Sequence, residues 1–125
     1  MAPAAPWIAV VDDDPSVLKA LRRLLSTHAF QPKTFASARE FLAALTCGMP
    51  ECLIVDLQMP EMSGLELHQH LTRNGFAIPT IIITAHDDGD ARRRCEAAGT
   101  AAYLLKPLED VPFFAAINKA RGRPG

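Results

Sequence analysis

Short apolar runs alternate along the chain with segments whose apolar residues recur at helical spacing. Apolar runs predict four strands, at Trp7–Val11, Glu51–Leu57, Thr80–Thr84 and Ala101–Leu105. A fifth, Gln31–Phe35, is short and weak, as an edge strand would be. Continuous apolar runs of this length are typical of strands that are buried on both faces of a parallel sheet. The alternation therefore predicts a single α/β domain, in which helices cover both faces of a doubly wound five-stranded parallel sheet.

Five helices are predicted, one after each strand. Pro15 stands where a first helical turn tolerates proline, and Ser37 with Glu40 reads as a capping box at the second helix. The third helix is predicted from Leu65, and the last follows Pro107. The fourth helix has only small residues on its inward stripe, so we expect it to be weakly docked; they are Ala91, Cys95 and Ala98.

Polar side chains stand where four of the predicted strands end. Asp12 and Asp13 follow the first strand, Asp56 ends the third, Thr84 ends the fourth and Lys106 follows the fifth. The carboxyl ends of parallel strands meet at one edge of a sheet, and ligands bind at that edge in open α/β sheets. We therefore expect these carboxylates, the hydroxyl and the amine to converge on one site.

The residue types at this edge predict phosphoryl transfer. Two carboxylates ~4 Å apart repel by about 1 kcal/mol in water and by several times that in a drier site. A cation relieves the repulsion, and oxygen ligands with room for water and phosphate suit Mg²⁺. Asp56, on the central strand with apolar neighbours, is the predicted nucleophile, while Lys106 and Thr84 would pair with the phosphoryl group.

Composition excludes several classes of function. A chain of 125 residues predicts one domain over 1–125, with a core of about 7–120 and with 121–125 as a tail or the start of a linker. The net charge of −1 gives no pull toward nucleic acid or membrane. No run approaches the ~20 apolar residues of a membrane span, and no signal peptide is evident, so we expect a cytoplasmic protein. The three cysteines lack the CxxC spacing of a zinc site.

Taken together, these motifs resemble the receiver domain of bacterial two-component response regulators. The matching pieces are Val-Val-Asp12-Asp13-Asp14, Ile-Val-Asp56-Leu-Gln-Met-Pro60-Glu-Met-Ser-Gly64, Ile-Ile-Ile-Thr84-Ala85 and Tyr103-Leu-Leu-Lys106-Pro107. Each piece is weak alone, but all of them in this order and at these spacings are highly specific. The resemblance covers about 7–120 and implies a flavodoxin-like sheet with the strand order 2-1-3-4-5.

The resemblance also implies a role for each site residue. Asp56 would accept a phosphoryl group from a sensor histidine kinase or a histidine phosphotransfer protein. Asp13, Asp56 and the backbone carbonyl of Gln58 would ligate Mg²⁺, and Asp12 would hold a metal-bound water. Thr84 and Lys106 would bind the phosphoryl oxygens.

A switch and an output are implied in the same way. Tyr103 would turn inward when Thr84 moves toward the phosphate, and the Lys106–Pro107 bond is expected to be cis. Gln58 and His86 would flank the phosphate and set its lifetime, although His86 is alternatively a solvated loop residue. The face of the fourth helix, fifth strand and last helix would serve a homodimer or a partner. Control of transcription would follow through an attached or a separate output.

Other functions fit the pattern less well. A phosphohydrolase similar to the haloacid dehalogenase group needs a second Asp where this chain has Gln58. A nucleotide or flavin binder needs glycines in the first strand–helix turn, which is acidic here. A receiver that only docks has no need of the acidic set, the Thr and the Lys. We therefore expect a non-enzymatic, phosphorylation-controlled module that does not itself bind nucleic acid.

The remaining charged and ionisable residues are expected at the surface. The run Arg92–Arg94 is interpreted as a solvated or partner-facing helix face, because no aromatic residues are interleaved with it. The acidic run 12–14 has a helix-start cluster as its alternative interpretation. Three histidines are expected on helix surfaces and not as metal ligands: His28, His68 and His70.

Overall fold

The computed structural model describes residues 6–122, in which strands and helices alternate from end to end. The strands are β1 Trp7–Val11, β2 Gln31–Phe35, β3 Cys52–Asp56, β4 Thr80–Thr84 and β5 Ala102–Leu105. The helices are α1 Pro15–Ser26, α2 Ala38–Ala44, α3 Gly64–Arg73, α4 Gly89–Ala97 and α5 Asp110–Ala120, with a 3₁₀ turn at Leu45–Cys47. The last part of the predicted tail, 123–125, lies outside the described residues. Among those described, no helix has the length and apolar character that a bilayer crossing needs.

The strands form one parallel sheet in the order β2-β1-β3-β4-β5, which confirms the predicted flavodoxin-like fold. Every residue of β1, β3 and β4 is buried, whereas β2 at the edge is partly exposed, as expected. Side chains alternate between the two faces, so each central strand contributes to both halves of the core. Val11 and Val55 pack on the side of α2 and α3, and Val10 and Ile54 pack on the side of α1 and α5.

The helix starts are fixed by side-chain caps. Asp14 caps α1, where its Oδ1 accepts from the Ser16 N–H at 2.9 Å. The capping box predicted at α2 is only half correct. The Ser37 hydroxyl does accept from the Glu40 N–H at 3.2 Å, but the Glu40 carboxylate accepts from the Ala36 N–H at 2.7 Å, one residue before the cap. The complete capping box instead opens α3, between Ser63 and Glu66.

The interior holds one histidine that was expected at the surface. His68 is only 6% exposed, so the prediction for this residue is wrong, whereas His28 is exposed. The imidazole Nδ1 lies 2.9 Å from Thr80 Oγ1, and Nε2 lies 2.9 Å from the Ala98 carbonyl oxygen. A buried polar ring is tolerated because both of its nitrogens have partners. These partners come from β4 and from the end of α4, which sequence spacing does not connect with α3.

The two helices nearest the end of the chain are held very differently. The buried residues of α4 are Ala91 and Cys95, which confirms its thin docking, whereas α5 buries two phenylalanines and Ile117. Arg121, the first residue of the predicted tail, also packs on the domain. Its Nε lies 3.0 Å from Glu51 Oε1, and its guanidinium lies 4.9 Å from the centre of the Phe30 ring.

Close contact between α3 and the end of β3 requires glycine at Gly64. A Cβ at this position would lie 2.6 Å from the Asp56 carbonyl oxygen and 3.2 Å from Val55 Cγ1. The Gly64 N–H donates to the Leu57 carbonyl at 3.0 Å, so the helix start is tied to the chain that leaves β3. Glycine thus lets α3 begin directly against the strand that carries Asp56.

We expect Gly64→Ala to lower the free energy of unfolding by about 1–3 kcal/mol, because the added methyl group meets backbone atoms that cannot move aside. Urea denaturation would measure the change. Gly89→Ala is the matched control, since a Cβ there would lie 3.7 Å from Arg93 Nη1, an ordinary contact. Equal stabilities of the two variants would contradict the role given to Gly64.

Candidate functional site

The carboxyl edge of the sheet brings together the polar residues that end the strands. One carboxylate oxygen from each of Asp12, Asp13 and Asp56 lies within 4.8 Å of the others. Lys106 Nζ lies 3.0 Å from Asp12 Oδ2 and 3.5 Å from Asp56 Oδ2. Thr84 is buried at the end of β4, and its carbonyl accepts from the Lys106 N–H at 2.8 Å. The predicted convergence of these strand ends is therefore present, and we call Asp12, Asp13 and Asp56 the acidic pocket.

The three consecutive aspartates after β1 occupy three different environments. Asp12 is fully buried, and its Oδ1 accepts from the Asp14 N–H at 2.9 Å while Oδ2 faces Lys106. Asp13 points to solvent, as its neighbour in an extended segment should. Asp14 caps α1, so the helix-start interpretation holds for this residue alone. The pocket thus has one buried wall and one side open to water.

Asp56 is a nearly buried carboxylate that lies close to another buried carboxylate. It is 8% exposed, and its Oδ1 accepts from the Gln58 N–H at 3.3 Å. Burial and then the nearby charge of Asp12 raise the pKa of Asp56, against the lowering effects of Lys106 and the Gln58 N–H. The protein therefore leaves a negative charge on Asp56 incompletely compensated.

Lys106 supplies the positive charge that the acidic pocket lacks. Burial opposes its charge, but the hydrogen bond to Asp12 and the charges of Asp56 and Asp12 outweigh burial and raise the pKa of Lys106. The ammonium group is thus a permanent cation at neutral pH. The Lys106–Pro107 bond that follows is cis, as the family resemblance implies.

Residues beside the pocket link it to α4. The Thr84 hydroxyl accepts from the His86 N–H at 3.2 Å. Tyr103 is buried, and its hydroxyl has no hydrogen-bond partner within residues 6–122. Burial chiefly raises the pKa of Tyr103. A cavity of about 1010 Å³ between α3 and α4 is bordered by Gln58, Thr84 and His86, so it opens directly beside the site.

One residue of the run interpreted as a solvated or partner-facing helix face also makes a contact within the domain, although its side chain remains 40% exposed. The Arg92 guanidinium lies 4.6 Å from the centre of the Tyr103 ring, and its Nη2 lies 3.9 Å from Asp87 Oδ1. Arg93 and Arg94 are exposed, as expected. The contact depends on how α4 lies over β5, and no spacing within the sequence pairs Arg92 with Tyr103. A cation–π contact at a partly exposed site of this kind is worth about 0.5–1 kcal/mol.

The acidic pocket fits a small divalent cation. The donors are carboxylate oxygens and one side is open to water, and because burial and the charge of Asp12 raise the pKa of Asp56, a nearby positive charge favours its ionised form. Mg²⁺ prefers this arrangement, because it takes one or two carboxylates and keeps several waters. Gln58 is held beside the pocket through its N–H, while a ligand role for its carbonyl stays a prediction.

Comparison with known sequences agrees with this geometry. Residues 8–118 match the family model described as response regulator receiver domain. The chain is 39% identical over 116 residues to the response regulator protein TmoT of Ectopseudomonas mendocina, covering 90% of this chain and 51% of that protein. It is 36% identical over 113 residues to the transcriptional regulatory protein FixJ of Rhizobium meliloti, covering 90% of this chain and 55% of FixJ. The chain therefore spans about half the length of these curated relatives.

Solved structures give the same result. The crystal structure of FixJ-N is similar with a TM-score of 0.87 and 34% identity, over 96% of both chains. A response regulator receiver protein from Burkholderia phymatum gives a TM-score of 0.84 and 42% identity, over 96% of this chain and 98% of that one. Motifs, sheet order, acidic pocket and family match all agree, and the chain belongs to the response regulator receiver domain family.

Proposed function

We propose that this receiver domain accepts a phosphoryl group on Asp56, with Mg²⁺, from a sensor histidine kinase or a histidine phosphotransfer protein. The observation that carries the proposal is the arrangement around Asp56, a nearly buried carboxylate faced by two further carboxylates and by the Lys106 ammonium. Such a site binds a cation and an anionic phosphoryl group together better than it binds either one alone. A cytoplasmic location, expected from the sequence, stays a prediction.

In the proposed reaction an Asp56 carboxylate oxygen attacks the phosphorus of a phosphohistidine. The new P–O bond forms as the P–N bond breaks, and the donor imidazole keeps that electron pair. Lys106 and the Thr84 hydroxyl would pair with phosphoryl oxygens, while Asp12, Asp13, Asp56 and the Gln58 carbonyl would hold Mg²⁺. When bound, Mg²⁺ would neutralise charge on the transferring group. The product is an aspartyl phosphate that adds about −1.5 to −2 charge units to the site.

Transfer to Asp56 would then change the surface around α4. Thr84 and Tyr103 are the proposed switch pair, since both are buried and the β4–α4 loop begins directly after Thr84. The face of α4, β5 and α5 is the proposed surface for a homodimer or partner. Two exposed large apolar residues of these elements support the proposal, Leu105 of β5 at 38% and Val111 of α5 at 80%. Relatives named as transcriptional regulators support an output that controls transcription, attached to this domain or separate from it.

Asp56→Asn should abolish labelling by acetyl phosphate and Mg²⁺, as measured by intact mass, because the amide oxygen is a poor nucleophile. Asp110→Asn, which removes an exposed carboxylate at the start of α5, should label like the wild type. Full-stoichiometry labelling of the Asp56 variant would place the acceptor elsewhere.

Without divalent cations, Asp56→Asn should also be more stable than the wild type near neutral pH. The pKa of Asp56 is raised above its ordinary value of 3.8 in the folded state, so the folded protein holds this proton more tightly than the unfolded chain. Wild-type stability should therefore fall as pH rises from the ordinary pKa through the raised one. Urea denaturation across this pH range should give the two proteins the same free energy of unfolding at the acidic end. Above that, the free energy of unfolding of the wild type should fall below that of Asp56→Asn. A difference in the free energy of unfolding that is the same at all pH values would contradict the raised pKa of Asp56.

Lys106→Met should tighten Mg²⁺ binding by roughly tenfold, because it removes a positive charge that competes with the metal for Asp12 and Asp56. Thermal shifts against Mg²⁺ concentration would measure this, since a ligand at 100 times its Kd stabilises by about 2.7 kcal/mol. Lys119→Met, which changes an exposed lysine on α5, should leave the affinity unchanged, and Asp13→Asn should weaken it. Weaker Mg²⁺ binding by the Lys106 variant would show that the metal does not share these carboxylates.

A further inference from the structure

The two ends of α4 are anchored in very different ways. The loop that leads into the helix, 85–88, is exposed throughout, and so are the first two residues of the helix. Its side-chain hydrogen bonds and ion pairs run to near neighbours, as when Asp88 Oδ1 accepts from the Asp90 and Ala91 N–H groups. The hydrogen bonds at the amino-terminal end of α4, which is the end nearest the acidic pocket, therefore join its own residues, and its contacts with the rest of the domain are made by the buried Ala91 and by Arg92 on the Tyr103 ring.

The carboxyl-terminal end of α4 is tied to the rest of the domain. Cys95 is fully buried, and its carbonyl accepts from the Thr100 N–H at 3.2 Å and from the Thr100 hydroxyl at 3.0 Å. The Ala101 N–H donates to the Thr80 carbonyl at 2.7 Å. Ala98, the residue that caps the end of the helix, presents its carbonyl to His68 at 2.9 Å. The last carbonyls of a helix have no donors within the helix, so an external donor is needed here.

His68 connects three elements through one buried ring. A carbonyl can only accept, so Nε2 carries the proton and donates to Ala98. Nδ1 lies 2.9 Å from the Thr80 hydroxyl, which also lies 3.0 Å from the Ile78 carbonyl. The ring therefore joins α3 to β4 and to the end of α4. Water has little access to compete for these bonds, because His68 is only 6% exposed.

We propose that His68 is the hinge residue of α4, a positioning residue that fixes the far end of the helix while its near end moves. The movement rests on the proposed function, because phosphorylation of Asp56 is the signal that would start it. The anchoring of α4 by His68 does not depend on that function. The helix of 9 residues is about 13 Å long. A swing of about 10° about Ala98 would displace its first turn by about 2 Å and leave its last turn in place.

A hinge at the end of α4 means that the residues in the first half of the helix move most. Arg92, which lies 4.6 Å from the centre of the Tyr103 ring, stands in the first half of α4 and would travel with the moving end. The swing would therefore open or close the contact with Tyr103 and would change the face of α4 and β5. A helix released at both ends would shift as a whole and would not couple the pocket to that one contact.

Three substitutions separate the two bonds of the ring. His68→Asn places its amide nitrogen near the position of Nδ1 and leaves the Ala98 carbonyl without a donor. His68→Gln extends one methylene further and restores a donor near the position of Nε2. Thr80→Val removes the hydroxyl from the Nδ1 side and keeps the His68–Ala98 bond. Only the Asn variant should therefore release the end of α4.

Amide hydrogen exchange tests the anchoring, with the amide of Val10 in the central sheet as the internal reference. Relative to Val10, the amides of Ala98 and Thr100 should exchange roughly tenfold faster in His68→Asn than in the wild type. In His68→Gln and Thr80→Val they should change by less than about threefold. Unchanged exchange in the Asn variant would overturn the proposal. So would equal acceleration at Val10, which would mean that His68 only stabilises the whole domain.

Acetyl phosphate with Mg²⁺ tests the movement itself. Backbone amide chemical shifts of the wild type should change over 85–94 and fade by Ala98, whereas in His68→Asn the changes should extend through Ala98 and Gly99. Changes at Ala98 as large as those at Asp90 in the wild type would overturn the hinge. If no amide responds in the wild type, the proposed phosphorylation fails, while the exchange experiment still decides whether His68 anchors α4.

Discussion

The mutual repulsion of Asp12, Asp13 and Asp56, countered by Lys106, is the interaction on which the site depends. Asp12 is wholly buried and Asp56 nearly so, yet only one cation, the ammonium 3.0 Å and 3.5 Å from them, faces both within the described residues. Lys106 follows the edge strand β5 and reaches across β4 to residues that end β3 and β1. Its charge therefore reaches these carboxylates only when β1, β3, β4 and β5 are assembled side by side.

The single positive charge of Lys106 does not neutralise the three carboxylates, so the pocket can attract a cation. The pKa of Asp56 is raised by burial and by Asp12, so its ionised form is disfavoured relative to an aspartate in water. A pocket whose negative charges were fully neutralised by the protein would be more stable, but it would not attract a cation. The buried central strands provide the stability that such a pocket needs, since every residue of β1, β3 and β4 is buried.

The parts of this structure that follow from one-dimensional patterns were predictable. Apolar runs identify the strands, and the polar residues that end them must meet because parallel strands share an edge, so Asp56 and Lys106 could be brought together without coordinates. The missed features depend on neighbours in space. His68 is buried with Thr80 and Ala98 as partners on either side of its ring, and Arg92 contacts the Tyr103 ring because α4 lies over β5. Strong local patterns predict elements, whereas cross-element polar contacts need the packed structure.

The loops that leave the carboxyl edge differ in how firmly they are held, and this difference decides where a new charge at Asp56 can act. The loop into α1 is fixed by the Asp14 cap, and the loop into α3 is fixed by the close approach of Gly64 and by a capping box. The loop from β4 into α4 is exposed throughout and leads into a helix that buries only small residues. It is also adjacent to the site, because Asp56 pairs in register with Ile83, the residue before Thr84. A perturbation at the pocket therefore meets stiff structure on the side of α1 and α3, and it meets a compliant element on the side of α4. The unequal packing of these loops thus determines the side on which the domain can respond, and the anchoring of the far end of α4 then determines which part of that helix moves.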